Sequence, residues 1–79
     1  MRIDKYLKVS RVIKRRTVAN EAADGGRVFV NGRQVKASYD VKVGDVVEIA
    51  FAGRPVKFRV TKITESTKKA DAQDMYELL

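Results

Sequence analysis

Residues 17–36 read TVANEAADGGRVFVNGRQVK, and the spacing of apolar residues changes once within the stretch. Over TVANEAAD, Val18, Ala19, Ala22 and Ala23 recur at helical intervals, Thr17 stands where an N-cap belongs, and Gly25-Gly26 is a stop. From Arg27 the period falls to two. RVFV and RQVK flank Asn31-Gly32, a pair that tolerates the positive φ angles of a tight hairpin turn. A short helix followed by a hairpin predicts an α+β fold. The small residues of the helix let it lie close against a neighbour, either another helix or a sheet.

Towards the N-terminus, MRIDKYLKVS places Ile3, Tyr6, Leu7 and Ser10 on one face of a first helix, with Arg2, Lys5 and Lys8 on the other. Towards the C-terminus, DVKVGDVVEIAF contains a Gly44-Asp45 turn and a strand with Val47, Ile49 and Phe51 on one face. Ala52 to Pro55 turn the chain again, and VKFRVTKI alternates Val56, Phe58 and Val60 with Lys57, Arg59 and Thr61. Residues 64 to 71 are polar, and DAQDMYELL is expected to form a short C-terminal helix packing Met75, Leu78 and Leu79. The expected architecture is two short N-terminal helices on a small, mostly antiparallel sheet. Its core comprises Ile3, Leu7, Val18, Ala22, Val28, Val30, Val47, Ile49, Val56, Phe58 and Val60. Residues 1–64 form the domain proper, and 65–79 a polar linker with the last helix.

A chain of 79 residues cannot divide its core in two, so one domain is expected. It has no cysteine and no histidine, hence no disulfide, no thiolate nucleophile and no preferred zinc ligand. Enzymes working at neutral pH usually need a tunable proton carrier, and the carboxylates here are scattered singly among cations. Gly25-Gly26 follows a helix and precedes a strand, the reverse of a phosphate loop. No catalytic residues, metal or cofactor are therefore expected. Met1 leads into charged residues, and the apolar runs are short, so a soluble cytoplasmic protein without a membrane partner is expected.

The net charge of +7 is uneven: residues 1–16 carry seven cations and one anion, while residues 65–79 carry two cations and four anions. A single-sign field of that density is better explained by an anionic partner than by solubility. Within SRVIKRRTVAN, residues 10–20, Arg11, Lys14, Arg15 and Arg16 crowd the joint between the helices. Arg15 and Arg16 stand where the macrodipole disfavours cations, at a cost of about 0.3 to 1 kcal/mol each. A bound phosphate reverses that sign. Arg2 and Lys5 have no acidic i,i+4 partner.

Tyr6 is the only aromatic residue in the first 28 and its spacing assigns it to the core, which disfavours single-stranded RNA. The second helix is short and carries Glu21 and Asp24, which disfavours major-groove DNA reading. The first helix has no bulky apolar residues to spare for a membrane surface. Structured RNA held by phosphates and shape fits best.

The run from RIDKYL through the basic SR...KRRT joint and ADGGRVFVNG to VKVGDVV resembles, over about 48 of 79 residues, the small RNA-binding domain first named from ribosomal protein S4, also called the αL RNA-binding motif. The stand-alone length, KVSRVIKRRT and the ending TKKADAQDMYELL are similar to the RqcP group, relatives of the ribosome-associated heat-shock protein. That resemblance implies a factor of bacterial ribosome-associated quality control, and a monomeric, non-catalytic protein is expected. It would bind obstructed large subunits through rRNA and peptidyl-tRNA and support the addition of alanine tails by RqcH. It implies RNA-binding roles for Arg2, Lys5, Arg11, Lys14, Arg15 and Arg16, with Lys36 as a weaker match. A heat-shock-type recycling factor and an accessory to an rRNA or tRNA modification enzyme remain alternatives.

Overall fold

The structure is a computed structural model and describes residues 1–51, 54–65, 72 and 74–79. Helices α1 (Ile3–Val9) and α2 (Arg16–Asp24) precede strands β1 (Val28–Val30), β2 (Arg33–Gln34), β3 (Val46–Phe51), β4 (Arg54–Val60) and β5 (Tyr76–Leu78). The strands form one antiparallel sheet in the order β2-β1-β3-β4-β5.

The Asn31-Gly32 turn forms as expected, with φ of 52° and 83° at its two residues and Val30 paired with Arg33 across it. Asn31 also fixes the hairpin to β3: its side-chain oxygen accepts from the Val46 N–H at 3.0 Å, and its amide donates to Asp45 at 3.1 Å. Register then aligns the buried rows. Val28 faces Ile49, Val30 faces Val47, and Val47 faces Phe58. One face of the sheet meets Ile3, Tyr6 and Leu7 of α1 and Ala19, Ala22 and Ala23 of α2. Burying each larger side chain contributes about 1.5 to 3 kcal/mol. Phe58 lies between Tyr6, stacked at 6.3 Å, and Tyr76, edge-on at 5.4 Å.

Four expectations are corrected. Val18 is 44% exposed: with Ala19, Ala22 and Ala23 inward, it lies roughly 90° from the centre of the buried arc of α2. Thr17 is not the N-cap. Helix α2 begins at Arg16, and Arg15, in extended conformation, takes the cap position without a side-chain cap bond. Val56, expected in the core, is only half-buried at its edge.

The fourth correction concerns the C-terminus, where Tyr76–Leu78 is a strand pairing Tyr76 with Val60 and Leu78 with Phe58. Met75 is buried as expected, but Leu78 and Leu79 are 68% and 57% exposed. Of the helix expected over 71–79, Ala72 is helical, while Asp71 and Gln73 lie outside the described residues. So do Ala52 and Gly53 of the expected turn and residues 66–71 of the polar stretch.

Candidate nucleic-acid interface

The basic joint hangs between two buried anchors, Val9 at the end of α1 and Ile13 in the connection. Arg11, Lys14, Arg15 and Arg16 stay exposed around them. Backbone bonds close the turn: Ser10 N–H donates to the Tyr6 carbonyl at 2.9 Å, Arg11 N–H to Lys8 at 3.1 Å, and Ile13 N–H to Leu7 at 3.0 Å. Arg11 has a φ of 63°, the left-handed conformation that ends helices and that glycine adopts at least cost. An L-residue there costs about 1 to 2 kcal/mol locally. In return, a cation stands where glycine would leave none. Lys8, Val9, Arg11 and Lys14 line an open cleft beside this turn.

Beyond the cleft, α2 opens with no acidic residue in its first turn. The positive end of its dipole therefore adds to the field of Arg15 and Arg16.

Arg2 and Arg16 meet on Asp4, which is only 2% exposed. Its Oδ1 accepts the Lys5 N–H at 2.7 Å and Arg2 Nε at 3.3 Å. Its Oδ2 accepts Arg2 Nη2 at 3.3 Å and Asn20 Nδ2 at 3.2 Å, and lies 3.5 Å from Arg16 Nε. Burial opposes ionisation more strongly than any other single influence. The Asn20 amide, the Lys5 N–H, Arg16 and Arg2 together outweigh it and hold the carboxyl below its ordinary pKa. The residue is therefore a carboxylate at neutral pH, joining α1 to α2 beneath the basic surface.

The remaining expected residues are placed differently. Lys5 ion-pairs with Glu65 at 2.7 Å, so the acid that it lacks at i,i+4 comes from 60 positions away. Lys36 lies near the Asp24 carbonyl at the C-terminal end of α2, about 12 Å along the helix from Arg16. Two residues outside the expected set complete the surface: Lys8 in the cleft and Asp4 beneath it. The signal for Asp4 was its isolation, a lone acid among the seven cations of residues 1–16.

Among the described residues, no group of His, Cys, Asp or Glu could hold a metal ion, and no helix is long and apolar enough to cross a membrane.

Two short helices laid on an antiparallel sheet, with their cations gathered at the joint, define a small α+β module of the RNA-binding type. The S4 domain matches residues 1–47. The chain belongs to the S4 domain family, in the RqcP group related to the heat-shock protein. A Streptococcus pneumoniae protein named RQC P-site tRNA stabilizing factor is 57% identical over 79 residues, covering 100% of this chain and 90% of its own. A Bacillus subtilis protein of the same name is 52% identical, covering 100% and 92%. Among solved structures, the trimeric Heat Shock Protein 15 of Vibrio cholerae is similar at a TM-score of 0.90 and 28% identity, covering 100% of this chain and 81% of that one.

Proposed function

We propose that this chain is a non-catalytic RNA-binding factor of bacterial ribosome-associated quality control, holding peptidyl-tRNA on an obstructed large ribosomal subunit and supporting alanine tailing by RqcH. The observation that carries the reading is the convergence of Arg2 and Arg16 on one buried carboxylate, beside exposed Arg11, Lys14 and Arg15 on a turn fixed by backbone bonds. Such a surface grips phosphates of folded RNA by position and charge, with no bond made or broken. The names of the relatives support tRNA as one ligand. Contact with rRNA would supply the other side of the clamp.

All of these cations come from one chain, so a monomer suffices. In this reading residues 1–64 carry the RNA surface. Residues 65–79 contribute Glu65 as a counter-charge to Lys5 and add the last strand to the sheet.

Sedimentation with large subunits tests the binding, and a protein left at the top of a low-salt gradient would contradict it. A second reading, a heat-shock-type recycling factor without a part in tailing, is favoured by the likeness to Heat Shock Protein 15. Reconstituted tail elongation separates the two, because only the first requires tail length to depend on this protein.

A further inference from the structure

We propose that Asp4 is a positioning residue for RNA binding: its buried carboxylate fixes Arg2 and Arg16 relative to each other, so that the two guanidinium groups meet phosphate as a preset pair. This rests on the RNA-binding reading above. By charge alone Asp4 is a liability, because it weakens the field of the segment that attracts the ligand. Its partners explain its presence. They come from the residue before α1, from α1 itself and from α2, so the carboxylate sets the spacing of two elements.

Arg2 gives Asp4 two of its five donors, and Arg16 turns its Nε to it. Both side chains remain about half exposed, at 50% and 48%. The unused donors can serve phosphate oxygens, and the rotamer freedom of both arginines is already restricted before the ligand arrives. A carboxylate that only joined the helices would affect stability and leave RNA affinity to the cations.

The two roles predict opposite signs for Asp4→Asn, which keeps the side chain's size and raises the net charge from +7 to +8. The test uses the full chain and fluorescently labelled tRNA, measuring anisotropy together with thermal unfolding. The expected result for Asp4→Asn is binding about fivefold weaker despite the added charge. Asp4→Asn combined with Arg16→Ala should bind within about twofold of the weaker single variant, since the two act as one unit. Asn20→Ala, which leaves every charge in place, should weaken binding about two- to threefold.

Equal or tighter binding by a folded Asp4→Asn protein, or losses that multiply in the double variant, would overturn the positioning role. Should Asp4→Asn fail to fold, Asn20→Ala and the Nε–H resonances of Arg2 and Arg16 in the unaltered protein decide. Signals displaced from the free-arginine position support the role, and signals at that position overturn it. A folded, unaltered protein that ignored tRNA would instead overturn the functional reading, and this role with it.

Discussion

Tyr6 on α1 donates its hydroxyl hydrogen to the backbone carbonyl of Met75 at 2.6 Å, across 69 positions of chain. The same carbonyl accepts the N–H groups of Thr61 at 2.9 Å and Lys62 at 3.3 Å, so α1, the end of β4 and the approach to β5 meet at one oxygen. Burial, and next to it the neighbouring Tyr76, push the Tyr6 phenol well above its ordinary pKa and keep it a donor. Tyr6→Phe removes that donor but leaves the carbonyl its two backbone partners. The expected cost is about 1 kcal/mol, a fall in Tm of about 4 to 8 °C for a domain of this size, measurable by circular dichroism. RNA affinity of the folded variant should not change.

Arg16→Ala sets two stability effects against each other: it removes an ion pair at 3.5 Å to Asp4 and relieves a cation at the start of α2. Stability should stay within about 1 kcal/mol of the unaltered protein, while binding to large subunits weakens by about 1 to 2 kcal/mol through loss of a charge-assisted contact. Calorimetry and sedimentation together check the pair of outcomes. A large loss of folding would make Arg16 structural.

If about five phosphates are neutralised, log affinity should fall against log salt with a slope of about −4 to −5, taking the duplex relation as a guide. Binding indifferent to salt would contradict an electrostatic clamp. Each cation removed from contact should make the slope shallower by about 0.9.

Glu65 already occupies Lys5, and the two form an exposed pair at 2.7 Å. Glu65→Gln should free that ammonium for RNA, tighten binding about two- to fivefold and steepen the salt slope by about 0.9. An anisotropy titration at several salt concentrations measures both. Unchanged affinity would mean that Lys5 faces no phosphate.

Acid should destabilise the fold through two aspartates. Hydrogen bonds from Lys42 and the N-terminal amine hold Asp40 down at about 2, and Asp4 is also depressed, its hydrogen bonds and arginines outweighing burial. Unfolding returns such groups to their ordinary value of 3.8, so below that pH the unfolded state binds more protons. Their contribution is therefore complete above about pH 4 and is lost as pH falls towards 2. Urea unfolding across that range should show the decline, and Asp40→Asn should remove the part that Asp40 contributes.

The helix-to-hairpin order was legible because local chemistry and tertiary packing agree there. Asn31-Gly32 prefers the turn it makes, and Val28 and Val30 alternate in the register that β3 requires. The phase of α2 was less legible. Val18 and Ala22 look alike in a spacing argument, but their exposure depends on which side the sheet takes. The C-terminal strand was hidden for a related reason. MYELL fits a helical or an extended pattern, and pairing with β4, which no local signal announces, selected the strand.

At the interface, the crowding of Arg11, Lys14, Arg15 and Arg16 could be read directly as charge. What Asp4 and Glu65 do could not, because Asn20, Arg16 and Lys5 reach them only through the fold.

The left-handed Arg11 and the buried Ile13 mean that the joint has its shape before any ligand arrives. A disordered basic tail of equal charge would have to surrender chain entropy residue by residue on binding. Under the proposed function, this surface would meet RNA more as a die than as a glove. Encounter should be governed by diffusion and long-range steering, without a slow folding step, and the heat-capacity change on association should stay small because little new apolar surface is covered.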